Sequence, residues 1–287
     1  MQRLDREEKT ARRLAIQGEL GSNSHMAALQ LLRDGLGSAH CQTEIVSCSH
    51  SAEVFASLEN AVVDVAVLPI ENSLHGSVAE HYDLLLAGNV RVTGETLLRI
   101  RHQVIAAPGV KLVEVKRVLS HPVALSQCRR WIAEHPEIEA VAFYDTAGSV
   151  KHLMECGLRD VAGIAPALAA RQYGAEVLVA GVEDHAENHT RFYVLEKGGK
   201  PVEDANKMSL AFGLEHRPGT LIEALQELGR AGLNLTRIES RPVQGQPWEY
   251  VFFVDLRFER SAQLDEAVQG LRGHCRWVKE LGRYRAA

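Results

Sequence analysis

From Leu14 to about Leu178, short apolar runs alternate with segments of helical period, the pattern of β-α-β units feeding a mostly parallel sheet. Leu14-Ala15-Ile16-Gln17-Gly18 predicts a first strand, and Glu19-Leu20-Gly21-Ser22-Asn23-Ser24 a loop that opens a helix near His25. Backbone N–H groups and the positive end of a helix dipole converge at such a junction. It is therefore a candidate anion site that includes Ser24, and equally a plain serine N-cap. A helix over Ala52 to Val62 precedes the strand Asp64 to Ile70, whose far end carries Glu71, Asn72, Ser73 and Gly76. Ligands of open α/β sheets bind at that end of a strand. Asp83 and the leucines after it read as a packed helix, and Val90 to Ala107 as an extended crossing between two lobes, interrupted by charge at Arg99 to His102.

More polar junctions follow. A strand at Arg117 to Leu119 leads through Ser120-His121-Pro122 into a helix carrying Ala124, Leu125, Gln127 and Cys128; Ser120 suits a cap and Pro122 a first turn. Val141 to Tyr144 runs into Asp145-Thr146-Ala147, and Asp160 to Tyr173 and Glu176 to Val182 supply a strand-helix pair and a further apolar run. The strand Tyr193-Val194-Leu195 is entered from Asn188-His189-Thr190-Arg191-Phe192. An amide, an imidazole, a hydroxyl and a guanidinium at the mouth of a rigid element suit an acidic ligand, and they also suit an ordinary capped turn.

Beyond Gly198-Gly199-Lys200-Pro201 the period changes. Strands are expected at Lys207 to Leu214, Leu233 to Pro242, Tyr250 to Phe258 and Trp277 to Leu281, with helices at Pro218 to Ala231 and Ala262 to Leu271. The order β-α-β-β-α-β is that of a ferredoxin-like module, small enough to gain from pairing with a copy of itself.

Composition narrows the chemistry. With 287 residues, 46% of them hydrophobic and 24% charged, the chain has room for two domains. A net charge of -5 offers no basic surface for nucleic acid. The five cysteines, Cys41, Cys48, Cys128, Cys156 and Cys275, are odd in number and form no Cys-x-x-Cys pair, which signals neither a disulfide framework nor zinc and fits a reducing cytoplasm. Met1 to Arg13 is a charged lead-in without the apolar centre of a signal peptide, and no later run is long enough to span a membrane. Of His25, His75, His81, His121, His185 and His189, only His185 and His189 stand four residues apart, and they lie in the polar stretch that leads into the strand Tyr193-Val194-Leu195, not on a helix; Gly-x-Gly-x-x-Gly, P-loop and Gly-x-Ser-x-Gly patterns do not occur. No metal site is expected, and nicotinamide and nucleotide chemistry lose support.

The motifs Pro69-Ile70-Glu71-Asn72-Ser73 with Gly76, Ser120-His121-Pro122 with Gln127-Cys128, Asp145-Thr146-Ala147, and Asn188 with Thr190-Arg191-Phe192, in this order, resemble the prephenate dehydratase family over nearly the whole chain after the lead-in. The C-terminal module is similar to that family's amino-acid-binding ACT domain. Glu239-Ser240-Arg241-Pro242 match its effector motif, Pro218-Gly219-Thr220-Leu221 stand in place of its Gly-Ala-Leu turn, and Asn234 joins the same effector set.

The resemblance implies an α/β catalytic domain over 14–197 with two lobes, approximately 14–100 with 180–197 and 101–179, similar in fold to periplasmic binding proteins. A linker at 198–206 and an ACT domain at 207–287 would follow. It implies loss of CO2 and water from prephenate to give phenylpyruvate without a cofactor, phenylalanine as effector, and a homodimer or homotetramer. Thr190 matches the catalytic threonine, a positioned donor to the departing hydroxyl rather than a group of tuned acidity. Asp145 falls on an acidic position, sharing the acid role if protonated and orienting neighbours if ionised. Asn72, Ser73, Ser120, Gln127, Thr146, Arg191, Phe192 and Ser24 fall in the implied substrate site. Arg191 follows Thr190 along a strand and so faces the other way, bracing the cleft or touching substrate.

Three positions depart from the family pattern: Asn23 for an aromatic residue, Val123 for a common glutamine, and Thr220 for the alanine of the effector turn. The lead-in is too short for a preceding chorismate mutase helix, so one activity is expected. Arogenate dehydratase, which performs the same elimination on the amino analogue, is the near alternative. A non-enzymatic small-acid or amino-acid sensor on the same scaffold is the third reading, against which Thr190 argues.

Overall fold

The computed structural model describes residues 11–36, 43–199, 202–243 and 245–287. Most of the lead-in, Cys41, and Lys200 and Pro201 of the expected linker lie outside the described residues. In chain order the elements are β1 (Arg12–Gln17), α1 (Asn23–Arg33), β2 (Thr43–Cys48), α2 (Ser51–Glu59), β3 (Val65–Asn72), β4 (Gly76–Ser77), α3 (Ala79–Ala87), β5 (Val90–Arg99) and β6 (Gln103–Ala106). There follow β7 (Arg117–Ser120), α4 (Pro122–Ser126), α5 (Arg129–Glu134), β8 (Glu139–Ala142), α6 (Thr146–Glu155), β9 (Val161–Ala165), α7 (Ala167–Tyr173), β10 (Glu176–Ala180) and β11 (His189–Lys197). The C-terminal set is β12 (Lys207–Gly213), α8 (Thr220–Arg230), β13 (Asn234–Pro242), β14 (Tyr250–Arg257), α9 (Ser261–His274) and β15 (Trp277–Tyr284).

Three sheets result, with strand orders β2-β1-β3-β11-β5 carrying β4 on β3, β10-β6-β9-β7-β8, and β13-β14-β12-β15. Leu14, Ala15 and Ile16 of β1 and Val65 to Leu68 of β3 are buried in succession, as parallel strands covered on both faces require. The expected parallel character holds for β1 with β2 and β3, and for β7 with β8 and β9. It fails at β6, which lies antiparallel to both β9 and β10. β6 enters this sheet directly from β5 of the other sheet, through Ile100, Arg101 and His102, and both of its partners come later in the chain.

One expected helix is broken. The segment after Ser120 stops at Ser126 and restarts at Arg129, leaving Gln127 at the C-cap. Asp184 is the cause: its two carboxylate oxygens accept from the N–H groups of Arg129 and Arg130, both at 3.0 Å, and its own N–H donates to Gln127 O at 2.7 Å. An acceptor placed over the first turn of α5 caps it from outside.

By compactness the chain divides into a first unit, residues up to Ser77 with Leu97–Phe192, and a second, Val78–Thr96 with Tyr193–Ala287. The division falls inside β5 and β11. In the second unit the β-α-β-β-α-β order of the small module appears as expected. Met208, Leu210 and Phe212 of β12 pack with Ala224 and Leu228 of α8 and with Leu264, Val268 and Leu271 of α9. No helix among the described residues is long and apolar enough to cross a membrane.

Candidate active site

The last residue of β3 and the second of β11 meet through Asn72 and Thr190. Asn72 Nδ2 lies 3.0 Å from Thr190 Oγ1, 2.8 Å from Asn188 Oδ1 and 3.1 Å from His189 O, three acceptors sharing one amide. Its Oδ1 accepts from the N–H groups of Leu74 and His75, both at 3.0 Å. This Asx turn locks the side chain. Thr190 is buried and receives a hydrogen bond, so its own proton is left to be donated elsewhere. Ser73 ties the same turn down: its hydroxyl accepts from His189 N at 3.0 Å and donates to Glu187 O at 3.2 Å. Asn188 is fully buried, and its Nδ2 has no partner among the described residues.

Alternation along β11 sends Arg191 the other way. Its guanidinium is buried and paired with Glu71 Oε2 at 2.9 Å, while Phe192 on the side of Thr190 is a core residue at 1% exposure.

Gln127, released at the break between α4 and α5, joins this region through histidines. Its Oε1 lies 2.8 Å from His102 Nε2, and its Nε2 lies 3.3 Å from His75 Nδ1. His102 is buried, and burial holds its imidazole below the ordinary value and therefore neutral near pH 7. Ser120, at the end of β7, is fully buried and donates to Ile164 O at 2.5 Å, so its hydroxyl serves the sheet.

Asp145 belongs to a separate group. It caps α6, accepting from Gly148 N at 2.7 Å. Burial pushes its carboxyl above the usual range, backbone N–H groups oppose this, and the charge of Glu19 adds to it. Gly18, at φ +94°, is where β1 turns toward it: a Cβ there would stand 2.7 Å from Asp145 Oδ2, so only glycine fits. Glu19 accepts from Tyr144 OH and Lys151 Nζ, both at 3.0 Å, and burial with that carboxylate pushes the Tyr144 phenol up to about 12. Tyr173 OH donates to Leu20 O at 2.7 Å. In the first loop Ser22, not Ser24, caps α1, and Gly21 N donates to His25 Nδ1 at 2.8 Å. Ser24 is buried at the start of α1, and Thr146 opens α6 with its carbonyl accepting from Ser149 Oγ at 2.6 Å.

Sequence reasoning overlooked His102, Glu19, Tyr144 and Tyr173, and weighed His75 only as a metal ligand. An imidazole at the head of the apolar run Val104-Ile105-Ala106 was the available signal for His102. The described residues contain no cluster of three or more His, Cys, Asp or Glu side chains able to hold a metal.

In the second unit the effector candidates separate into two groups. Pro218, Thr220 and Leu221 border a cavity of ≈ 330 Å³ together with Trp248, Tyr250 and Phe252, whereas Glu239 to Pro242 do not line it. Gly219 takes φ +88° as the N-cap of α8. Thr220 Oγ1 lies 3.1 Å from both Glu215 O and Arg217 O, to which its proton is directed. Asn234 and Ser240 are exposed on β13, Glu239 accepts from Arg237 at 3.3 Å, and Arg241 pairs with Asp83 Oδ2 at 2.6 Å.

Comparison with known proteins gives this geometry a family. The prephenate dehydratase model matches residues 14–200 and the ACT domain model residues 208–269. Arogenate dehydratase 2 of Petunia hybrida is 37% identical, covering 95% of this chain and 71% of its own. The structure of prephenate dehydratase from Arthrobacter aurescens in complex with L-Phe is 30% identical with a TM-score of 0.85, over 95% of this chain and 90% of that one. GqqA, described as a novel type of quorum-quenching acylase, is 31% identical with a TM-score of 0.85, over 96% of this chain and 98% of its own. The chain belongs to the prephenate dehydratase family and carries a C-terminal ACT domain.

Proposed function

We propose that this protein is a lyase that converts prephenate to phenylpyruvate, and that phenylalanine regulates it through the ACT domain. The observation that carries the reading is the hydrogen bond from Asn72 Nδ2 to Thr190 Oγ1. It orients the hydroxyl and polarises it, so that its proton is directed at a leaving group. The electron pair of the bond to the ring carboxylate flows into the ring as CO2 departs. The bond to the ring hydroxyl breaks at the opposite carbon, and the oxygen takes a proton and leaves as water. Aromatisation drives the step, so orientation and one well-aimed donor are what the protein must supply. Asp145, Ser73, Ser120, Gln127, Thr146, Arg191, Phe192 and Ser24 complete the proposed site. Within it Arg191 acts through Glu71, and Ser120 and Ser73 through backbone carbonyls.

The inward-turned hydroxyl of Thr220 supports a phenylalanine effector, because the turn then offers the ligand a methyl group where the family has alanine. We place the catalytic domain at 14–197, the linker at 198–206 and the ACT domain at 207–287, in a cytoplasmic homodimer or homotetramer. Exposed Ile222, Ile238 and Trp248 support self-association of the small module. The name of the petunia relative favours arogenate as a second substrate. Phenylpyruvate release from prephenate, phenylalanine release from arogenate, and the response to added phenylalanine by purified protein test the proposal together. Silence on both substrates would refute it.

A further inference from the structure

The proton positions around Gln127 follow from a single carbonyl. Val123 O can only accept, and Ser126 Oγ stands 2.7 Å from it, so the one hydroxyl proton lies between them. Ser126 Oγ is then left to accept from His75 Nε2 at 2.8 Å, which makes neutral His75 the Nε2–H tautomer with a bare Nδ1. That bare nitrogen faces the Gln127 amide at 3.3 Å, so the group facing it is the NH2. Gln127 Oε1 consequently points at His102, which must carry its proton on Nε2 to donate across 2.8 Å. The opposite tautomer would also bury an N–H without a partner, since His102 Nδ1 meets none among the described residues.

We propose that His75 and His102 are positioning residues that together set the direction of the Gln127 amide, presenting its second N–H to an oxygen of the dianionic substrate. The proposal rests on the dehydratase reading. One amide hydrogen goes to His75 Nδ1, and the other has no protein partner among the described residues. Were the amide reversed, a carbonyl oxygen would face the substrate's anionic oxygens in its place. His102 is held for this task by Glu183 Oε2, which accepts from its backbone N–H at 2.9 Å.

Two measurements test the proposal. Nitrogen-15 NMR of histidine side chains in the full-length protein should find both His75 and His102 as Nε2–H tautomers, and an Nδ1–H form at either would overturn it whether or not the protein turns over prephenate. In steady-state kinetics, His102→Leu and His75→Ala should each raise KM for prephenate about tenfold with kcat changed less than about threefold. His102→Gln, whose amide can reach the position of the imidazole Nε2, should recover most of that loss. Unchanged KM in His75→Ala, a variant of an exposed residue, would refute the positioning role even if His102→Leu failed to fold. Wild-type protein inactive on prephenate and arogenate would instead defeat the dehydratase reading.

Discussion

Asn72→Asp is the most informative substitution in the site, because it changes one atom and reverses a hydrogen bond. The turn survives: a carboxylate oxygen still accepts from Leu74 N and His75 N. On the other side the NH2 that served Asn188 Oδ1, His189 O and Thr190 Oγ1 becomes an acceptor. Asn188 can flip its amide to donate, His189 O cannot, and Thr190 can rotate its hydroxyl proton onto the new carboxylate. A hydrogen bond to a charged group is worth about 1.5–3 kcal/mol. Thr190 must break that bond before it can protonate a leaving group, so kcat should fall by roughly 10- to 150-fold.

Asn72→Ala gives the opposite pattern. It removes the polarising bond, worth about 1 kcal/mol, and leaves the Thr190 proton free. It also strips the turn of its acceptor and leaves the buried Asn188 Oδ1 without its donor, at about 1–3 kcal/mol of stability. The conservative variant should therefore be the slower enzyme and the alanine variant the less stable protein. The assay is phenylpyruvate formation at saturating prephenate, beside urea denaturation of each variant. Asn72→Ala slower than Asn72→Asp would refute the assignment of Thr190 as the donor held by Asn72.

Thr190→Val keeps shape and loses the hydroxyl, so kcat should drop by about 10²- to 10³-fold at nearly constant KM, with Thr190→Ser retaining most activity; initial-rate kinetics check this, and unchanged kcat removes Thr190 from the reaction. Lys207 and Glu95 form a buried pair, 8% and 4% exposed, with Nζ 2.9 and 3.0 Å from the two carboxylate oxygens. Lys207→Met should lower unfolding free energy by about 3–5 kcal/mol, more than replacing both partners with apolar residues, as read from denaturant midpoints. Burial depresses the His102 pKa, so the unfolded chain binds its proton first as pH falls. The stability it contributes is present above about pH 6.5 and is lost below that, with a slope of at most about 1.4 kcal/mol per pH unit, and His102→Gln should flatten this part of the profile.

Local chemistry made much of this architecture readable. Leu14 to Ile16 and Val65 to Leu68 are apolar in succession because both faces of their strands are covered, and the small module alternates strand and helix periods cleanly enough that its six elements follow from the sequence. The polar strand ends are equally visible, since Asn72, Ser120 and Asp145 each close an apolar run. What those side chains touch is a different matter. Asn72 and Thr190 are 118 positions apart, and Asp184 breaks a helix 54 and 55 positions before it. A capping acceptor from a distant loop leaves no local trace, so Gln127 reads as helical when it is the residue the break sets free. The antiparallel β6 was hidden for a related reason: its partners β9 and β10 lie far along the chain, and an apolar run alone carries no direction.

The Asn72–Thr190 hydrogen bond has a further property: each partner leads along the chain into the second unit within a few residues. From Asn72 the turn closes through Gly76 and Ser77 of β4 and continues into α3, where Tyr82 lies under the Arg237 guanidinium at 4.3 Å and Asp83 accepts from Arg241. Arg237 is also held by Glu239, so both charged residues of the effector motif reach α3. From Thr190 the strand runs to Tyr193, whose hydroxyl donates to Asp255 at 3.0 Å within a group that includes Ser209 and Tyr284. An effector that shifts β13 therefore has α3 to act through, and α3 is chain-continuous with the turn that aims Thr190. Coupling of this kind requires a contact that differs between effector-bound and free states, and the Arg241–Asp83 pair is the candidate. Asp83→Ala should leave turnover without phenylalanine within about twofold and displace the midpoint of the phenylalanine response by about fivefold or more. A superimposable response curve would exclude α3 as the element that carries regulation to the site.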